Sequence, residues 1–138
     1  MSKHVLVTDD EAHTLLALSL ILKKVGFKVT TVGNGEEALD KVLEMASDSD
    51  PIDLLVIDLE MPGMNGIEVI EVIERLGLAL PIIVISGYEA RGLLAEKVGL
   101  GGVWFLEKPF EPEEFAQCVR NAIHQGEVNE GARAQEAR

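Results

Sequence analysis

The sequence predicts an α/β domain, a doubly wound (βα)5 three-layer sandwich built on a parallel sheet of order 2-1-3-4-5. Three observations lead there. Short apolar runs at Val5–Val7, Leu54–Ile57, Ile82–Ile85 and Val103–Leu106 have the unbroken hydrophobicity of parallel strands covered on both faces. Segments with apolar residues at helical spacing alternate with the strands, which implies right-handed crossovers with helices on both sides of the sheet. Each of these four runs then gives way to polar or charged residues, at the carboxyl ends of strands where open α/β sheets place their ligand sites.

Val5–Val7 leads into Thr8-Asp9-Asp10-Glu11. A helix from Ala12 to Val25 follows, with Leu15, Leu18, Leu22 and Val25 on one face and Gly26 as its C′ residue. The second strand runs from Phe27 to Val32. Asn34-Gly35-Glu36-Glu37 then resembles a capping box for a helix whose face is Leu39, Val42, Leu43 and Ala46. A polar loop, Ser47 to Pro51, leads to the central strand, which ends on one acid, Asp58. Met61-Pro62-Gly63 breaks the chain, and Asn65 caps a third helix with Ile67, Ile70 and Ile73 inward, ending near Gly77. The fourth strand ends in Ser86-Gly87. Residues 89–98 form the weakest helix, with Gly92 inside it. The fifth strand runs into Glu107-Lys108-Pro109-Phe110, and Pro112 opens a last helix with Phe115, Val119, Ala122 and Ile123 on one face. From Gln125 the chain is polar and aperiodic, so residues 1–124 are expected to be the domain and 125–138 a disordered tail. The order 2-1-3-4-5 is the flavodoxin-like arrangement.

Composition bounds the partners. A formal charge of −12 argues against direct contact with nucleic acid or an anionic membrane, which need clustered Lys and Arg. One cysteine, Cys118, permits no internal disulfide. The chain opens with no signal-peptide pattern and contains no run of membrane-span length, so a cytoplasmic location is expected.

The strand ends matter together. In this order the first, third, fourth and fifth strands gather Asp9, Asp10, Asp58, Ser86 and Lys108 at one edge. Three acids in contact repel, and a hard divalent cation such as Mg²⁺ relieves them. One carboxylate can act as a nucleophile toward phosphorus and form an acyl phosphate. An ammonium and a hydroxyl then serve the phosphoryl oxygens.

Residues 4 to about 124 resemble the receiver domain of two-component response regulators, of the stand-alone type. Asp9-Asp10-Glu11, Asp58-x-x-Met61-Pro62-Gly63-Met64-Asn65-Gly66, Ser86-Gly87 and Lys108-Pro109-Phe110 occur in the family's order and spacing. The resemblance implies that Asp58 is the phosphoacceptor. Asp10, Asp58 and the Glu60 backbone carbonyl would hold Mg²⁺, with Asp9 acting through water. Lys108 would contact the phosphoryl group, the Lys108–Pro109 peptide would be cis, and Ser86 with Phe105 would form the switch. It implies a histidine kinase or histidine phosphotransfer protein as donor and an unknown downstream protein partner. That partner would bind the surface around the fourth helix, fifth strand and last helix, the domain being a monomer or a phosphorylation-dependent dimer. External turnover is not expected. Ser86, Gly87 and Phe105 depart from the commoner Thr, Ala and Tyr, and Trp104 replaces a small or polar residue.

Plainer readings compete. Asp9-Asp10-Glu11 resembles a helix cap, but a cap needs one acid and not two. His4, His13 and His124 lack ligand spacing and read as surface residues, and Cys118 as an inert residue near the core. Gly33-x-Gly35-x-x-Ala38 formally matches a dinucleotide fingerprint, yet it follows the second strand and Glu36-Glu37 would repel a pyrophosphate. The alternative function is a haloacid-dehalogenase-like phosphohydrolase. That group places its nucleophile after the first strand with a second Asp two residues on, where this chain has Glu11.

Overall fold

A computed structural model of the chain describes residues 2–47, 49–87 and 102–136, with side chains up to Glu127. Five parallel strands, β1 (His4–Thr8), β2 (Lys28–Val32), β3 (Leu54–Asp58), β4 (Ile82–Ser86) and β5 (Val103–Glu107), form one sheet of order β2-β1-β3-β4-β5. The expected order is therefore the observed one. Every residue of β1, β3 and β4 is buried, as unbroken apolar runs require.

Helices α1 (Ala12–Lys24), α2 (Gly35–Met45), α3 (Gly66–Arg75) and α4 (Pro112–Glu136) cover the sheet. The expected helix over 89–98 lies outside the described residues. Alternation along the strands splits the core into two layers. Leu6, Leu55, Ile57 and Val84 pack with α2 and α3, through Ala38, Val42, Val69 and Ile70. Val5, Val7, Val56 and Ile85 pack with α1 and α4, through Leu18, Leu22, Phe115 and Val119. The helix ends follow their capping chemistry. Asn65 Oδ1 accepts from Glu68 N at 3.0 Å and Glu68 Oε1 accepts from Asn65 N at 3.4 Å, a complete capping box. Asn34 Oδ1 accepts from Glu37 N at 2.9 Å, but the Glu37 carboxylate reaches Gly33 N and not Asn34 N.

Four expectations are corrected. Leu43 and Ala46 are exposed, because α2 turns Ala38, Leu39 and Val42 inward instead. Val25, expected on the buried face of the first helix, lies past the end of α1 and is 39% exposed. His4 is fully buried. It begins β1, its Nε2 lies 2.6 Å from Thr30 Oγ1, and its Nδ1 faces the Asp50 carbonyl at 3.4 Å. Its backbone amide donates to Asp53 Oδ2 at 2.8 Å, so the residue ties β1 and β2 to the loop entering β3. Finally, α4 continues to Glu136, so helical backbone replaces the aperiodic tail expected from Gln125. Glu, Gln, Ala and Arg there are good helix formers. Lys3 pairs with Glu127 at 3.4 Å, and Gly126 lets the helix lie against Pro81.

Thr8 Oγ1 is buried with no hydrogen-bond partner among the described residues. An orphaned buried hydroxyl costs about 1–3 kcal/mol. Thr8→Val, nearly isosteric, is expected to stabilise the fold by about 1 kcal/mol, read as a higher urea midpoint at unchanged slope. A lower midpoint would show that the hydroxyl is bonded in solution.

Candidate functional site

The site is assembled from the carboxyl ends of four strands. Asp58 is the last residue of β3 and is 3% exposed. Thr8 on β1 pairs with Ile57, so Asp9, buried just beyond the strand, comes across from Asp58. On the other side Asp58 pairs with Ile85, which brings buried Ser86 alongside. β5 ends one residue before Lys108, whose backbone amide donates to the Ser86 carbonyl at 3.0 Å. The Lys108–Pro109 peptide is cis, as expected.

Both oxygens of Asp58 are engaged. Lys108 Nζ donates to Oδ2 at 2.7 Å and the Glu60 amide donates to Oδ1 at 2.8 Å. Burial works against the Lys108 ammonium. Its hydrogen bond and attraction to Asp58, helped by Asp9 and Glu60, nevertheless hold its pKa above the ordinary lysine value. For Asp9, burial is the largest influence and pushes the pKa up. The Glu11 amide, donating to Oδ1 at 2.9 Å, counters it, and the neighbouring Asp58 pushes further, to about 6.

Asp9, Asp58, Ser86 and Lys108 thus come together. Asp10, which follows Asp9, is exposed. No three His, Cys, Asp or Glu side chains among the described residues stand together as a metal cluster. Of the three expected acids, Asp9 and Asp58 are the buried pair. That pair still fits Mg²⁺. Asp9 and Asp58 are neighbouring oxygen donors, burial first and Asp58 second raising the Asp9 pKa, and Mg²⁺ characteristically takes one or two carboxylates, completing its shell with carbonyls, waters and phosphate oxygens.

The Glu60 carboxylate stands at the mouth of the crevice. Its Oε1 lies 3.4 Å from where a Cβ on Gly87 would be, so the missing methyl at Gly87 leaves it room. Sequence reasoning missed the Glu60 amide as a donor to Asp58; an acid two residues before an N–H at a strand end is the signal that reveals it. Of the other histidines, His13 and His124 are exposed as expected. Cys118 is half-buried, and burial pushes its thiol pKa up, which keeps it unreactive.

A family model for the response regulator receiver domain matches residues 5–120. The chain therefore belongs to this family of two-component signalling proteins. It is 32% identical over 124 residues to the transcriptional regulatory protein FixJ of Bradyrhizobium diazoefficiens, a match covering 90% of this chain and 58% of FixJ. It is 32% identical over 120 residues to the chemotaxis protein CheY of Thermotoga maritima, covering 86% of this chain and 96% of CheY. The crystal structure of a response regulator receiver domain protein from Clostridium thermocellum superposes with a TM-score of 0.79 at 25% identity, over 91% of this chain and 98% of that one. The chain thus spans little more than half of FixJ but nearly all of CheY. These matches do not favour the phosphohydrolase alternative. Among the described residues, no helix is long and apolar enough to cross a membrane.

Proposed function

We propose that the chain is a phosphoacceptor switch in which Asp58 takes a phosphoryl group from a phosphohistidine on a histidine kinase or histidine phosphotransfer protein. The carrying observation is the buried Asp58 carboxylate, held at one oxygen by Lys108 and at the other by the Glu60 amide. A carboxylate oxygen of Asp58 attacks phosphorus, the P–N bond of the donor breaks, and the imidazole leaves with the electron pair. Lys108 is placed to follow the new charge onto a phosphoryl oxygen, and the Ser86 hydroxyl to donate to another. Asp9, Asp58 and the Glu60 carbonyl are the groups that would hold Mg²⁺, with exposed Asp10 beside Asp9 a further carboxylate for it. Bound there, Mg²⁺ offsets negative charge on the phosphoryl oxygens. Membership of the receiver family supports a single transfer in the cytoplasm over external turnover.

Incubation with acetyl phosphate and Mg²⁺ tests this reading. One phosphoryl group per chain, seen by intact mass, is the expected result; sustained turnover of a generic phosphate ester would favour a phosphohydrolase.

The signal leaves through the sheet edge. Phe105 is half-buried opposite Val84 and packs on the α2–α3 layer, while its neighbour Trp104 packs on the α1–α4 layer. Beside them a groove of about 490 Å³ between β5 and α4 is lined by Trp104, Leu106, Gln117, Cys118 and Asn121. A Ser86 drawn toward the phosphoryl group vacates space that Phe105 is placed to fill, altering the face where the downstream protein, or a second phosphorylated copy, would bind. Beryllofluoride with Mg²⁺ is expected to change Trp104 fluorescence, and Phe105→Ala to abolish that change while keeping stoichiometric phosphorylation. Lost phosphorylation in a Phe105→Ala protein with intact circular dichroism would place Phe105 in the chemistry and not in the readout.

A further inference from the structure

Gly33-x-Gly35-x-x-Ala38 matches a phosphate-binding fingerprint but has no phosphate role in this fold, and the two glycines differ sharply. A Cβ on Gly33 would meet nothing within 4 Å. A Cβ on Gly35 would lie 2.5 Å from the Met64 carbonyl oxygen, 2.9 Å from Val69 Cγ2 and 3.2 Å from Met64 Cβ. The first of these is backbone and has no rotamer to give. Gly35 is the first residue of α2, and Met64 belongs to the loop between Asp58 and α3. The start of α2 therefore rests directly on the backbone of the loop that follows the phosphoacceptor.

That loop carries the Glu60 amide bonded to Asp58 and the Glu60 carbonyl assigned to the metal. Its far end is also tightly packed, since a Cβ on Gly66 would come 3.2 Å from Leu59 Cα and 3.3 Å from the Asp58 carbonyl oxygen. Helix α2 is anchored by Ala38, Leu39 and Val42 in the core. The loop has no regular secondary structure, so it is the side that yields to added volume.

We propose that Gly35 is a positioning residue for the Asp58 chemistry: by lacking a side chain it lets α2 press the loop into the place where the Glu60 amide and carbonyl face the site. The proposal rests on Asp58 being the phosphoacceptor. It makes α2 part of the machinery although no atom of that helix touches the reacting group.

The test compares wild type, Gly35→Ala and Gly33→Ala for labelling by acetyl phosphate, Mg²⁺ affinity by calorimetry, thermal melting, and the NMR position of the Glu60 amide without metal. In Gly35→Ala the Glu60 amide should move, labelling should slow roughly tenfold, and the Mg²⁺ Kd should rise roughly tenfold. Gly33→Ala should stay within about twofold on every measure. A folded Gly35→Ala with lower melting temperature but unchanged Glu60 amide, labelling and Mg²⁺ affinity would show that α2 yields instead, and overturn the proposal. Should Gly35→Ala fail to fold, Asn34→Ala loosens the same helix end by removing its cap and adds no atoms. It should move the Glu60 amide and weaken Mg²⁺ at least about twofold; no change overturns the proposal equally. Absent labelling of wild type would defeat the phosphoacceptor reading alone, because the amide displacement is read without phosphate.

Discussion

Asp58→Asn is expected to abolish phosphoryl incorporation from acetyl phosphate with Mg²⁺, leaving no acid-labile gain in mass where the wild type gains one group. An amide oxygen is a poor nucleophile toward phosphorus, and the neighbouring Asp9 has no matching set of contacts: its Oδ1 accepts from Glu11 N instead. The variant should remain folded but not unscathed. An Asn in this place has one acceptor oxygen, whereas Asp58 accepts from Lys108 and from the Glu60 amide on different oxygens. One of those donors then faces an NH₂ group, at a cost of about 1–3 kcal/mol. Unchanged labelling of a folded Asp58→Asn protein would remove Asp58 from its role.

The second large effect belongs to Asp9. Its pKa stands at about 6 in the folded chain against an ordinary 3.8, so between those values the folded state binds more protons than the unfolded one. Stability in the absence of divalent metal should therefore be highest below about pH 4 as far as this group is concerned, and fall as pH rises to about 6. Asp9→Asn removes that slope. At pH 7.5 in EDTA it should raise stability by roughly 1–2 kcal/mol, less than a two-unit shift would represent for a fully shielded group. Denaturant melts of both proteins at pH 4.5 and 7.5 read the difference. The same substitution should weaken Mg²⁺ binding, so stability and ion affinity move in opposite directions. An Asp9→Asn protein less stable than wild type at pH 7.5 would contradict a carboxylate destabilised there by burial and by the neighbouring Asp58.

Much of this was legible in the residues. Val5–Val7, Leu54–Ile57 and Ile82–Ile85 read as strands buried on two faces, and the polar residue ending each run marks the working edge. What sequence could not show depends on contacts between distant segments. His4 carries no ligand spacing, and its partners, Thr30 and Asp50, lie 26 and 46 residues away. Leu39, Val42, Leu43 and Ala46 satisfy helical spacing as well as Ala38, Leu39 and Val42 do; only packing against α3 and the sheet selects the second set. The polarity of the tail hides that its Glu, Gln, Ala and Arg residues are good helix formers, which extend an existing helix without a new nucleus. Asp9 and Asp10 are adjacent in sequence, yet the first is buried and the second exposed, a difference adjacency does not reveal.

The complete burial of β3 has a consequence for how the chain finds its fold. A strand with apolar residues on both faces loses little by sliding one place along its neighbours, because an apolar side chain meets either layer. Nothing in Leu54–Ile57 forbids that error. Asp58 does. A shift of one residue, about 3.3 Å, would turn its carboxylate toward a hydrocarbon layer and carry it away from the Lys108 ammonium. The acid that takes the phosphoryl group is thus also the mark that aligns the central strand. An apolar residue in its place would cost the protein its alignment signal together with its chemistry.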